Sequence, residues 1–248
     1  TIRALDEAYL ELDKGQTANR PRTFTFSPTN TGRFVANTHE GIIRAQGVYD
    51  IRVVTHSRPD PTIDPTRVNY FHGALNCSLD MLYDIHSGDL LAIIHDGYLQ
   101  KMRVQATNAI AARYMARKNT RSMALIGSGW QASAAIESMR SVRSIKTVQV
   151  FSRSEENRKS FAQRMRSIYK DMDIQDFDTA KQAVRGTDMV VAATNANIAV
   201  CKGEWIDKGM HLTGILPYEL DLDCYRKADY IVMFNRLHGR DYTLRRGP

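Results

Sequence analysis

The feature that most constrains this chain is a short apolar run followed by a glycine turn. Residues 123–126 have the length of a buried strand, Gly127-Ser128-Gly129 turns the backbone, and the alanine-rich segment that follows favours a helix. In this order, the glycines let backbone N–H groups approach a pyrophosphate, which then lies at the positive end of the helix. Ala132 completes a spacing that the dinucleotide-binding fingerprint allows. We therefore predict a nucleotide site rather than a plain strand–helix turn, although Gly-x-Gly alone is a weak signal.

The second half of the chain alternates between strand-like and helix-like segments. We expect strands at residues 123–126, 148–151, 189–193, 211–215 and 230–233, and helices at 131–140, 155–168 and 179–185. Such alternation predicts a parallel sheet with helices on both faces. A six-stranded doubly wound sheet would need one more strand, so we expect this domain to be incomplete at its C-terminus.

The first half contains mostly short strands. Helical spacing predicts a helix at residues 2–12, and we expect strands at 23–26 and 51–55 and a hairpin of 79–83 with 90–94. Three prolines within residues 58–65 predict a loop, and a long helix at 101–118 closes this half. The fold class is therefore α/β, with a domain built on strands in hairpins at 1–116 and a Rossmann-type, doubly wound parallel sheet at 117–248.

Composition excludes several classes of protein. The chain has 248 residues, 43% of them hydrophobic, and no apolar run long enough to cross a membrane. Cys77, Cys201 and Cys224 are widely spaced, which favours packed thiols in a reducing, cytoplasmic compartment. The net charge of +7 suits small anionic ligands, and no nucleic-acid-binding motif is present. No histidine pair has metal-ligand spacing, so we expect no metal site.

The end of the second predicted strand bears on which dinucleotide binds. An NAD site normally has an acidic residue there to hold the ribose 2′-hydroxyl. This chain has Ser152-Arg153-Ser154 instead, and two hydroxyls with an arginine suit a 2′-phosphate. The alternative is that Arg153 is an ordinary surface residue. We predict a preference for NADP(H) over NAD(H).

The order of these and other motifs resembles the ornithine cyclodeaminase/mu-crystallin family over nearly the whole chain. The matching segments are Arg22, residues 88–92, Met102-Arg103, and residues 126–132, 151–153, 190–195, 203–206, 209–211, 219–221 and 227–229. The resemblance implies a substrate-binding and dimerisation domain on an antiparallel sheet, packed with a Rossmann domain in a homodimer. It also implies hydride transfer between a nicotinamide and a carboxylate-bearing imine, ketimine or amino acid.

Two other functions stay open at this point. The first is a true ornithine cyclodeaminase, a lyase that recycles bound NAD. The second is a non-catalytic NADP(H)-binding protein like some mu-crystallins. The substrate itself cannot be named from the sequence.

The resemblance also assigns roles to individual residues. Arg22, Arg52 and Arg103 match the positions that hold the substrate carboxylate, with Arg52 where the family typically has lysine. Each could instead be a surface cation, although Arg52 lies in an otherwise apolar strand. The residues matched to the cofactor site are Gly127, Ser128, Gly129, Gln131, Ser152, Arg153, Ser154 and, near the nicotinamide ribose, Thr194.

The chain departs from the family pattern at the proton-handling position. The loop after residue 215 is shortened and lacks the cyclodeaminase aspartate, so the catalytic residue is unknown. We expect Glu219 and Asp221 to cap the next helix rather than to replace that aspartate. Val104 stands where threonine is common. Both changes count against cyclodeaminase activity. Tyr98, Lys101 and Tyr218 are further candidate acids, and His211 is expected to be structural.

Overall fold

The computed structural model describes residues 1–30, 32–59, 78–196 and 198–233. The chain divides into two compact units, one of residues 3–100 and one that begins at Lys101. The division falls near the start of the long helix, whereas the sequence places the boundary at residues 116/117, near its end. Among the described residues, no helix is both long and apolar enough to cross a bilayer.

An antiparallel sheet forms the body of the first unit. The elements up to residue 95 are α1 (Ile2–Asp13), β1 (Thr17–Asn19), β2 (Thr23–Thr29), β3 (Gly32–Ile43), a 3₁₀ turn (Arg44–Gln46), β4 (Val48–Pro59), β5 (Ser78–Asp84) and β6 (Leu90–His95). The strand order is β1-β3-β4-β5-β6, and β2 pairs with the other end of β3. The predicted first helix, the two predicted strands and the hairpin are confirmed.

Two features of this sheet differ from the sequence prediction. The twelve-residue strand β3 was not predicted, because its polar residues hide the alternation that signals a strand. The loop predicted from residue 58 is wrong for Arg58 and Pro59, which extend β4 and pair with Arg33 and Gly32. Within the described residues, β4 pairs with β5 only up to Val54, so this end has one neighbour and tolerates a proline without an N–H donor. Residues 60–65 lie outside the described residues.

A parallel sheet forms the body of the second unit. The elements from residue 97 on are α2 (Gly97–Met115), which enters this unit at Lys101, then β7 (Ser122–Ile126), α3 (Trp130–Arg140), β8 (Thr147–Phe151), α4 (Glu155–Ile168), β9 (Asp173–Asp176), α5 (Ala180–Val184), β10 (Met189–Ala192), β11 (His211–Gly214) and α6 (Leu222–Lys227), with 3₁₀ turns at Gly203–Trp205 and Pro217–Glu219. All strand pairs are parallel, in the order β11-β10-β7-β8-β9. The predicted Rossmann-type sheet is confirmed, and the strand order reverses between β7 and β10.

The central strand β7 is buried on both faces. Met123 and Leu125 pack into one apolar cluster with α2, α3 and α4. Ala124 and Ile126 pack into a second cluster on the opposite face, with α5 and α6. Because both faces of β7 are buried, its sequence is a continuous apolar run rather than an alternation of apolar and polar residues.

The edges of this sheet were predicted less well. Strand β9 was missed, because only Ile174 in it is buried. The strand predicted at residues 230–233 is wrong: the structure assigns no strand there, and Tyr230, Ile231, Val232 and Met233 are 54–78% exposed. An apolar run needs a neighbouring strand to pair with, and none of the described residues provides one.

Candidate dinucleotide-binding site

The glycine turn after β7 packs tightly against the chain that leaves β10. Gly127 has φ +123°, and a Cβ atom added to it would lie 2.3 Å from the carbonyl oxygen of Ala193. Its N–H donates to the carbonyl of Phe151 at 2.8 Å, which ties the turn to the end of β8. Only glycine meets both demands, a left-handed backbone and a close backbone neighbour.

The second glycine of the turn faces open space. Gly129 is the N-cap of α3, has an ordinary φ of −89° and makes no side-chain cap. Nothing lies within 4 Å of a Cβ atom added there. The first-turn N–H groups of α3 therefore have no side-chain cap and border open space at Gly129, which suits a pyrophosphate.

The segment after β8 brings the predicted 2′-phosphate residues next to the glycine turn. The hydroxyl of Ser128 donates to that of Ser152 at 2.9 Å. The Ser154 hydroxyl accepts from the N–H of Asn157 at 3.2 Å and caps α4. Arg153 is exposed and has no hydrogen bond or ion pair within the described part of the chain. Arg153 is thus available to bind an anion, whereas the Ser154 hydroxyl already caps α4.

A buried arginine, Arg158, also holds this segment through hydrogen bonds, and the sequence analysis did not predict it. Arg158 is 4% exposed and donates to the Ser152 carbonyl at 3.3 Å and to Asp178 at 2.7 Å. It therefore links the end of β8 to the turn after β9. An arginine in a polar helix is normally predicted to be exposed to solvent, so the sequence gives no signal that Arg158 links these two segments.

The ends of β10 and β11 meet at Glu219. Its side chain is fully buried, and its carboxylate accepts hydrogen bonds from the N–H and hydroxyl of Thr194, both at 2.7 Å. Glu219 does not cap α6 as expected, but it closes the 3₁₀ turn Pro217–Glu219 by accepting from the Leu216 N–H at 2.9 Å. Asp221 does cap α6, accepting from the Cys224 N–H at 2.9 Å.

Helix α2 approaches the first turn of α3. The amide of Gln105, which is fully buried, donates to the side-chain oxygen of Gln131 at 3.4 Å, so Gln131 has a partner inside the protein. The Lys101 ammonium lies 4.5 Å from the centre of the Trp130 ring. Burial, and then the positive charge of Arg164, lower the pKa of Lys101.

The three predicted carboxylate-binding arginines lie in different units. Arg22 and Arg52 belong to the first unit, and Arg103 lies on α2 in the second. The Arg52 side chain donates to Asp96 at 2.6 Å and lies 3.9 Å from Asp80. A ligand carboxylate would have to compete with Asp96 for Arg52. The clamp stays a prediction.

Other candidate groups serve structural roles where they are described. Burial and the charge of Arg143 lower the pKa of His211 to about 4, so this histidine is neutral at pH 7. Cys201 and Cys224 are buried, free thiols, and Cys77 lies outside the described residues. No group of histidine, cysteine and acidic residues that could hold a metal occurs in the described ranges.

Comparison with known proteins agrees with this geometry. The model of the ornithine cyclodeaminase/mu-crystallin family matches residues 3–238. A Delta(1)-pyrroline-2-carboxylate reductase of Bacillus cereus is 29% identical over 226 residues, which cover 86% of this chain and 63% of that protein. A ketimine reductase mu-crystallin of Rattus norvegicus is 24% identical over 220 residues, 86% of this chain and 64% of that protein.

A solved structure has the same fold. The Delta(1)-pyrroline-2-carboxylate reductase of Thermococcus litoralis, in complex with NADH and L-proline, superposes with a TM-score of 0.73 at 24% identity, over 86% of this chain and 62% of that one. The chain spans less than two thirds of the length of each of these three proteins.

Proposed function

Because the chain belongs to the ornithine cyclodeaminase/mu-crystallin family, we propose that it is a nicotinamide-dependent oxidoreductase. Its substrate would be a carboxylate-bearing imine or ketimine, or the corresponding amino acid. The observation that carries the proposal is the glycine turn, in which Gly127 contacts backbone while Gly129 borders open space. That arrangement can receive a pyrophosphate, which a structural strand–helix turn has no need to do.

The relatives narrow the substrate class. The names of the Bacillus and Rattus proteins describe reduction of a cyclic imino acid and of a ketimine. The nicotinamide would supply or accept the hydride, and the protein would orient the substrate and stabilise its charges. Arg22, Arg52 and Arg103 would hold the carboxylate, for which the arginine fork is suited.

We further propose that the cofactor is NADP(H) rather than NAD(H). The support is Arg153, which is exposed beside Ser152 at the end of β8, where no carboxylate is present. The Thermococcus enzyme was solved with NADH, so the proposal rests on this chain's own residues and not on that relative. Arg153→Asp should remove a preference for NADPH, whereas Arg185→Asp, an equal charge change at the end of α5, should keep it. Stronger wild-type binding of NADH would refute this assignment.

A homodimer is the proposed assembly, with the edge strand β6 as the contact. Among the described strands β6 pairs only with β5, and its Leu90, Leu91, Ile93 and Ile94 are 37–60% exposed. An apolar edge of this kind is suited to pairing with a second copy. Sedimentation of the chain should give twice its mass of 28.1 kDa, and a monomer at micromolar concentration would contradict the proposal. The free thiols of Cys201 and Cys224 are compatible with the proposed cytoplasmic location.

The decisive experiment identifies the nucleotide and the reaction together. The purified chain would be tested for a co-purifying dinucleotide, then for oxidation of NADPH and NADH with pyrroline-2-carboxylate, piperideine-2-carboxylate, and pyruvate plus ammonia. Ammonia release from ornithine without added cofactor would support a cyclodeaminase instead. Tight NADPH binding with no turnover on any substrate would support a non-catalytic binding protein.

A further inference from the structure

Through its carboxylate and its main-chain carbonyl, Glu219 joins three segments near the carboxyl ends of β10 and β11. One oxygen accepts from the N–H and the hydroxyl of Thr194 at 2.7 Å each, and the other accepts from the N–H groups of Ile215 and Leu216 at 2.8 and 2.9 Å. The Glu219 main-chain carbonyl also accepts from Val200 at 2.8 Å and from Cys201 at 3.1 Å. A fully buried carboxylate with two donors on each oxygen is a rigid anchor, because a buried charge that loses hydrogen bonds is not compensated by water.

These bonds determine what Thr194 can offer to a ligand. A threonine hydroxyl has one hydrogen to donate and two acceptor positions. The hydrogen goes to Glu219, and one acceptor position receives the N–H of Ala196 at 3.2 Å. One acceptor position remains on a side chain that is only partly buried. The N–H groups of Ile215 and Leu216 are directed at Glu219, so they are not available to bind an anion.

The fold places this acceptor beside one half of a dinucleotide. In a sheet of this type a bound pyrophosphate lies at the first strand–helix turn, here between β7 and α3, and the adenosine ribose lies at the end of the next strand, here β8. The other half then extends over β10, where Thr194 follows directly after the residue that contacts Gly127. The nicotinamide half carries the groups that an acceptor would bind, namely ribose hydroxyls and the carboxamide N–H₂.

We propose that Glu219 is a positioning residue that holds the Thr194 hydroxyl as a hydrogen-bond acceptor for a donor on the nicotinamide half of the cofactor. The inference rests on the proposed function and makes it more specific. It states that this end of the site selects a ligand with a donor group rather than an anion. It also assigns Glu219 a role in binding through Thr194, with no direct contact to the substrate.

The test compares Glu219→Gln with a matched variant at the other end of the sheet. Asp188 also accepts four hydrogen bonds, from the N–H groups of Arg121 and Ser122, the Ser122 hydroxyl and the Arg117 guanidinium, at 2.9–3.0 Å. It precedes β10, at the edge away from the proposed cofactor. Both Glu219→Gln and Asp188→Asn should lower the thermal unfolding midpoint measured without ligand.

Binding measurements then distinguish a loss of Thr194 positioning from a general loss of stability. Each variant is titrated with the full dinucleotide and with the adenine-half fragment, 2′,5′-ADP for NADP(H) or 5′-ADP for NAD(H). We expect Glu219→Gln to weaken dinucleotide binding about three- to tenfold, the effect of one hydrogen bond, with fragment affinity unchanged. Asp188→Asn should leave both affinities unchanged. Thr194→Val should reproduce the loss, and Thr194→Ser should retain wild-type affinity, which keeps the test decisive if Glu219→Gln does not fold.

The outcomes distinguish the inference from the function on which it rests. Equal loss of both ligands in Thr194→Val, or no loss of either, would overturn the role of Thr194 and Glu219 while leaving a nucleotide site in place. Failure of the wild-type chain to bind both the dinucleotide and the fragment would overturn the proposed function and the inference together.

Discussion

Replacing Gly127 with alanine tests the central element of the site. The added methyl would lie 2.3 Å from the Ala193 carbonyl oxygen, and φ at this position is +123°. The backbone conformation costs a non-glycine residue about 1–2 kcal/mol. Displacing a packed neighbour costs about 1–3 kcal/mol more. Alanine recovers about 0.4–1 kcal/mol because it restricts the unfolded chain. The expected loss of stability is therefore about 1–4.6 kcal/mol, with a central value of about 3 kcal/mol.

Gly129→Ala is the matched control within the same turn. Its φ is −89° and an added methyl meets nothing within 4 Å, so the only expected cost is about 1 kcal/mol or less for a poorer N-cap. That methyl would nevertheless occupy the space in which a pyrophosphate approaches the backbone. Gly129→Ala should thus lose dinucleotide affinity with little loss of stability.

Urea unfolding and dinucleotide titration of both variants measure these two effects. With a slope of about 2 kcal/mol per molar urea, a loss of about 3 kcal/mol lowers the midpoint by about 1.5 M. We expect that shift for Gly127→Ala and less than about 0.5 M for Gly129→Ala. Equal stability of Gly127→Ala and wild type would refute the contact with Ala193. Full affinity in Gly129→Ala would refute the placement of the pyrophosphate.

Three further predictions concern charged groups. Arg143 donates to three backbone carbonyls at the end of α2 at 2.7–3.0 Å, so Arg143→Met should lower the unfolding free energy by about 2 kcal/mol. Arg140→Met, which breaks an exposed ion pair with Asp171, should cost about 0–1 kcal/mol; equal urea midpoints for these two variants would contradict the capping role of Arg143. Burial and neighbouring carboxylates raise the pKa of Asp80 to about 7, so the folded state binds more protons than the unfolded state between pH 4 and 7. Stability should therefore fall as pH rises from about 4 to 7 and level off above 7, and Asp80→Asn should remove that fall in urea titrations at pH 5 and 8. The pKa of His211 is lowered to about 4, so the unfolded state takes up a proton first, below about pH 6.5. His211→Gln should then lose less stability than wild type between pH 6.5 and 4.5, and an identical loss would contradict the burial of this side chain.

Sequence reasoning predicted the parts of the molecule that depend on local pattern. The glycine turn, strand β7 and the parallel sheet follow from residue spacing and from burial on both faces, which leave a signal in consecutive residues. Edge strands leave a weaker signal, because half of their side chains face solvent. Strand β9 was missed for this reason, and the exposed run at residues 230–233 was mistaken for a strand.

The same distinction between local pattern and distant contacts separates the site residues that could be predicted from those that could not. Gly127 and Gly129 could be predicted because their requirements are set by the backbone of one turn. Arg158 could not, because its role depends on Asp178 and Ser152, which come from different strand ends. The predicted role of Arg52 likewise took no account of Asp96, which lies 44 positions later in the chain and forms an ion pair with it.

Glu219 shows most clearly that part of the site can be recognised only in the folded structure. In the sequence it stands two residues before Asp221, at a helix start where an acidic side chain is expected to cap the helix. In the fold it accepts from Thr194, 25 positions earlier, and from the chain that leaves β11. Leu216 is the N-cap of the 3₁₀ turn Pro217–Glu219, which brings the Glu219 carboxylate to 2.9 Å from the Leu216 N–H. The segment after β11, for which the resemblance predicts the loss of a catalytic aspartate, therefore also holds the carboxylate that fixes the Thr194 side chain.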